Sequence, residues 1–117
     1  MIVTLVDSAK AKILGILAGA RINVARATEA VEDSKLTLMM IRDEIVATQK
    51  KKQSTMKRLE ALSSKAGRRY TRELHRLDKA VVYLKDLQED RETARYLLDR
   101  ARLSKRKCEA VLALFEQ

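Results

Sequence analysis

Catalysis needs side chains that move protons, attack electrophiles or hold ions, and few residues of this sequence are arranged for such work. The single histidine, His75, lies between Arg72 and Arg76. That neighbourhood places it on a solvated outer face of a helix, where no pocket tunes an imidazole for proton transfer. The single cysteine, Cys108, falls in an apolar series. Nothing on the seam would stabilise a thiolate, so it reads as a packing residue. Carboxylates are plentiful but form no converging pair. The sequence carries no Gly-rich phosphate loop, no metal-ligand spacing and no nucleophile elbow. The expectation is a protein that binds, with no catalytic residue, no cofactor and no metal.

The chemistry that remains is charge. Net charge is +9 over 117 residues. Ten basic residues lie between Lys50 and Arg76, opposed there by Glu60 and Glu73 alone, which makes this segment +8. The remainder has fifteen basic and fourteen acidic residues, or +1. So many like charges over a short stretch repel one another, and an acidic partner surface relieves that cost. Lys65, Arg68, Arg69, Arg72 and Arg76 are the candidate partner-binding residues of this basic tip. Phosphates would also reward the cluster, but Tyr70 is its one aromatic and no nucleic-acid-binding motif is present.

The elements that position these charges are helices. Proline is absent, glycine occurs three times and aromatics number four, namely Tyr70, Tyr83, Tyr96 and Phe115. That composition belongs to long helices with a thin seam, not to a round core. From Leu17 a heptad runs through Ala20, Val24, Ala27, Val31, Ser34, Leu38, Ile41, Ile45, Thr48, Lys52, Thr55 and Leu59 to Leu62. Its steps alternate three and four, the spacing of a coiled-coil seam. A second series runs from Tyr70 through Glu73, Leu77, Ala80, Leu84, Leu87, Arg91, Ala94, Leu98, Ala101, Lys105, Cys108 and Leu112 to Phe115. Glu73, Arg91 and Lys105 interrupt it, and Leu74 is expected to stand in for Glu73.

The two series mirror one another about Ala66, so a turn there stacks them in register. Residue sizes agree: Ala20 faces Leu112, Ser34 faces Leu98, Leu38 faces Ala94 and Thr48 faces Leu84, large against small as close packing requires. The expected fold is all-α, a long two-helix antiparallel coiled-coil hairpin forming one domain over 1–117. Helix 1 spans about 5–62, the turn about 63–69 and helix 2 about 70–116. Gly67 is expected to end helix 1 in a left-handed conformation. Thr4 with Asp7 resembles a capping box at its start.

The longest apolar run, Ile13 to Ala20, is eight residues, against the roughly 20 needed to span a bilayer. The positive charges follow the apolar start, the reverse of a secretory signal. A single cysteine fits a reducing compartment. The expected location is cytoplasmic and not transmembrane. The mirror register leaves the first dozen residues without an internal partner. Leu5, Val6, Ile13 and Leu14, with Leu112 and Phe115 beside them, are therefore the second candidate partner-binding group. Leu36, Met39 and Met40 face away from the seam and are expected to serve self-association or partner binding. Gly15 and Gly19 fit a small-xxx-small contact; the plain reading is a flexible, closely packed start to helix 1, and the sharper one a site where a partner helix approaches the backbone.

A bare basic helical hairpin of this size, with ragged apolar ends and an uninterrupted seam, resembles the FliJ/YscO-like family, the central-stalk proteins of flagellar and type III secretion ATPases. The likeness is of architecture along the whole chain, since the family has no sharp motif. It implies that the paired termini enter the ring of a hexameric secretion ATPase and stimulate it, and that the opposite tip contacts an export-gate protein. The alternative reading is a basic hairpin that binds nucleic acid or an anionic membrane surface. A secreted hairpin of the WXG type would carry a Trp-x-Gly turn, and this chain has no tryptophan.

Overall fold

The computed structural model describes residues 2–63 and 65–116, with side chains from Leu5 onward. It contains two helices, α1 (Ile2–Ala61) and α2 (Arg68–Glu116). Among the described residues there is no strand. The fold is the expected all-α pair of long helices. α1 starts ahead of a Thr4 cap, and the Thr4 side chain lies outside the described ones.

The connection differs from expectation in the role of its glycine. α1 stops at Ala61, where the Leu62 amide turns back to the Leu59 carbonyl at 3.3 Å, tightening the last turn. Gly67 has φ of 98°, the only positive value among the described residues, but it opens α2 instead of closing α1. Its carbonyl accepts from the Thr71 amide at 3.1 Å and from the Thr71 hydroxyl at 3.0 Å. Those bonds place Gly67 at the head of α2, and glycine adopts its positive φ without the penalty a side chain would bring.

The chain packs as two compact units. One pairs Met1–Lys35 with Tyr96–Gln117, and the other is Leu36–Arg95, which contains the turn. In the turn-bearing unit, Ile45, Leu84 and Leu87 form a buried cluster with Ile41 packed against it. Leu38 and Ala94 are buried there too. The Arg58–Glu73 ion pair and the hydrogen bond from Tyr83 to Glu44 run between its two helical segments, which are antiparallel. In the terminal unit, Ala20, Val31 and Leu98 are buried. Ala20 and Asn23 share a small hollow with Lys107, Cys108 and Val111.

Burial follows the two heptad series closely. Every position from Leu17 to Leu62 in the first, and from Tyr70 to Leu112 in the second, is buried or half-buried. Outside them, only Gly19 and Thr28 among the described residues are not exposed. Phe115 is the exception at the end of the second series, at 37% exposure. Among the described residues no side chain falls below 2% exposure, because a single helix–helix seam has no third layer to close over it. The buried Leu38, Ile45, Leu84, Leu87 and Leu98 still contribute on the order of 1.5–3 kcal/mol each by burial.

Candidate partner-binding surfaces

The seam of the turn-bearing unit changes character along its length. Toward Leu38 and Ala94 it is aliphatic. Toward the turn it becomes polar, with Thr48, Lys52 and Thr55 on α1 and Glu73 on α2. The buried threonines satisfy themselves locally: Thr48 donates to the Glu44 carbonyl at 2.8 Å and Thr55 to the Lys51 carbonyl at 2.9 Å. Such back-bonding lets a hydroxyl sit in a seam without a partner across it.

Glu73 overturns the expectation that Leu74 would replace it. Glu73 is 9% exposed, whereas Leu74 is 37% exposed. The heptad geometry holds, and the acid remains in the seam because two guanidiniums neutralise it. Arg58 Nε donates to Glu73 Oε2 at 3.2 Å, and Arg76 donates to Oε1 at 3.0 Å. Arg58 also donates to the Thr55 hydroxyl at 3.0 Å. A buried carboxyl group with both oxygens accepting from guanidiniums has its hydrogen-bonding capacity met inside the seam.

This polar stretch borders a groove of about 460 Å³. Thr48, Thr55 and Ala80 lie along it, with Lys51, Arg58, Arg76 and Lys79 at its margins and Tyr83 at one end. Tyr83 donates to Glu44 at 3.3 Å. Partial desolvation first, then the Glu44 charge and this hydrogen bond, with a smaller push from Asp90, raise its phenol above the ordinary 10.0. The sequence reading missed the groove. Its signal was the polar run Thr48-Lys52-Thr55 with the small Ala80 across the seam, positions counted as ordinary members of the heptads when they mark a gap.

The five basic residues proposed for the tip do not form one set. All are exposed, but Arg76 belongs to the Glu73 ion group and the groove. Arg68 and Arg72 share a shallow hollow with Gly67, Thr71 and His75. Thus His75 is exposed among arginines, as its sequence neighbours imply. Among the described residues, no acidic side chain comes within ion-pairing distance of Lys65, Arg68, Arg69 or Arg72.

In the terminal unit the candidate apolar residues are open to solvent. Leu5 is 71% exposed, Ile13 54% and Leu14 63%. Val6 and Phe115 are also exposed, while Leu112 is half-buried in the seam. Val111, Leu114 and Ile16 add to this apolar surface. Cys108 is half-buried beside Ala20. A Cβ built on Gly15 or Gly19 meets nothing within 4 Å. Leu36, Met39 and Met40 are exposed on the turn-bearing unit.

Two polar seam residues of α2 remain. Lys105 sits 3.8 Å from Glu109, one turn along the same helix. Arg91 Nε is buried with no hydrogen-bond acceptor, 4.0 Å from the nearest Glu92 oxygen. Among the described residues no group of three or more His, Cys, Asp or Glu could hold a metal ion. None of the described helices is long and apolar enough to cross a membrane.

The class defined by these features is a coiled-coil helical pair with a basic turn region and an apolar terminal region. No family model, curated protein or solved structure matches the chain.

Proposed function

We propose that the protein is a non-enzymatic stalk or adaptor of a type III secretion or flagellar export apparatus, acting in the cytoplasm at the membrane-embedded complex. On this reading it binds and stimulates the hexameric export ATPase and contacts an export-gate protein. The observation that carries the reading is the division of exposed surface between the two units. The terminal unit offers Leu5, Val6, Ile13, Leu14 and Phe115 to solvent. The turn-bearing unit offers Lys65, Arg68, Arg69 and Arg72 without ion-pair partners among the described residues. Apolar side chains left open in this number favour burial against another protein. Unpaired cations favour an acidic surface, through association that weakens with salt. Two surfaces of opposite chemistry suit a protein that joins two partners.

The test uses two variants against a purified export ATPase. Removing residues 1–14 abolishes ATPase stimulation on this reading, with the remaining helices intact by circular dichroism. Charge reversal at Arg68, Arg69 and Arg72 leaves stimulation in place and weakens binding to the gate protein in a salt-dependent manner. Tight binding to short DNA, with no effect on any ATPase, would replace this reading by the nucleic-acid one, which the same unpaired cations also support.

A further inference from the structure

We infer that the groove of the turn-bearing unit is a docking site for an acidic, amphipathic helical segment of a partner protein. The inference stands apart from the stalk reading and rests on this unit alone. Four cations border the groove, two from each helix: Lys51 and Arg58 on α1, Arg76 and Lys79 on α2. Against them Glu73 contributes one negative charge, so the group is +3. Glu44, at the Tyr83 end, brings it to +2. The excess awaits a counter-charge that the protein itself does not supply.

Glu73 has a second effect, which is to orient. One carboxylate holds both guanidiniums, at 3.2 and 3.0 Å. Arg58 and Arg76 nonetheless keep side-chain exposures of 51% and 55%. A guanidinium has five N–H donors. Arg58 spends two, on Glu73 and Thr55, and Arg76 spends one. The rest stay free for an acceptor arriving from solvent, in side chains already fixed in place. Such pre-organisation lowers the entropic cost of binding.

The spacing selects the ligand. Lys51 and Arg58 are seven residues apart on α1, and Arg76 and Lys79 are three apart on α2. At about 1.5 Å per residue these separations correspond to roughly 10 and 5 Å. Carboxylates one to two turns apart on a partner helix match them. The lining between the cations, Thr48, Thr55 and Ala80, carries no charge, and both threonine hydroxyls are committed to their own helix. A free anion would leave this apolar strip unused, whereas the apolar face of a helix covers it. A single-stranded nucleic acid would call for exposed rings to stack on, and the one ring here, Tyr83, is tied to Glu44, while the phosphates of a duplex would leave the uncharged strip uncovered.

The test is fluorescence anisotropy on the full chain, with a labelled synthetic peptide bearing glutamates at i, i+4 and i+7 beside a leucine face. A matched peptide with glutamines serves as its comparison. Lys51 and Lys79 are exposed and make no ion pair among the described residues, so Lys51→Gln with Lys79→Gln leaves the fold unchanged. The expected result is that the glutamate peptide binds about tenfold more tightly than the glutamine peptide, and that the double lysine variant loses about tenfold. Ala80→Leu, with helicity checked by circular dichroism, fills the strip and removes binding. Arg68→Gln with Arg69→Gln changes affinity less than about threefold. Equal binding of the two peptides overturns the proposal, as does a loss carried by Arg68 and Arg69 instead of the lysines. Displacement of the peptide by a short DNA duplex more effectively than by unlabelled peptide, with the same lysine dependence, overturns it as well.

Discussion

The two units are built on one seam pattern and differ in what they do with it. The terminal unit carries ten basic and seven acidic residues, or +3, and exposes mainly aliphatic side chains at its extremities. The turn-bearing unit carries fifteen and nine, or +6, and admits Thr48, Lys52, Thr55 and Glu73 into its seam. A coiled-coil seam accommodates polar residues best where each finds a partner or reaches solvent, and in this unit Arg91, whose buried Nε has no acceptor, is the exception. The threonines use backbone carbonyls, Glu73 uses two arginines, and Lys52, half-buried, keeps a compact ammonium on a long flexible stem. Specific chemistry therefore enters the turn-bearing unit through its core, and the terminal unit through its surface.

The most severe way to break this contrast is to remove the aliphatic part of the turn-bearing seam. Ile45→Asp or Leu38→Asp places an unpaired charge at a position 5% exposed, and a loss of about 3–5 kcal/mol or more is expected. Thermal melting by circular dichroism reads it. Unchanged melting in both variants would show that the seam register is wrong. Next in size is Glu73→Gln, which leaves Arg58 and Arg76 side by side without their counter-ion. The expected cost is about 1–2 kcal/mol in urea titration. A stabilised variant would mean that the acid is a burden carried for another purpose.

Smaller effects sharpen the contrast at the glycines. Gly67→Ala meets no steric obstacle, yet must adopt φ of 98°, and about 1 kcal/mol of destabilisation is expected. Gly15→Ala and Gly19→Ala also meet no neighbour, but lie within α1, so each should raise stability by about 0.5–1 kcal/mol. If those variants also abolish ATPase binding, the open glycine face is where a partner helix packs. Cysteines at positions 20 and 112, spin-labelled after Cys108→Ser, should report a separation of about 10 Å in the terminal unit. A distance of several helix diameters would replace pairing within the chain by pairing between chains.

The seam was readable in the sequence because period and mirror symmetry act on every residue at once. Leu17 to Leu62 and Tyr70 to Leu112 all came out buried or half-buried. Residues whose role depends on particular partners were not readable in that way. Glu73 looked like a lapse because its two arginines stand 15 positions before it and three after it in sequence, and only folding brings the first of them near. Gly67 was correctly expected to need a left-handed angle. A positive φ suits either side of a turn, however, and the contact that assigns it to α2 is the Thr71 hydrogen bond. The groove was hidden for a related reason: a gap is made by what two distant residues fail to fill.

That no described side chain is shielded below 2% has a consequence for how the protein comes apart. With no centre to collapse, each rung of the seam is supported mainly by the rungs before and after it. Stability then accumulates along the chain as it does in a repeat array, and so does its loss. Amide hydrogen exchange in the turn-bearing unit should grade by position, slowest around Ile45 and Leu87 and faster through Thr48, Lys52 and Thr55. Opening there proceeds as unzipping from a weak stretch, and a ligand seated on that stretch would act as a clasp, slowing exchange next to itself first.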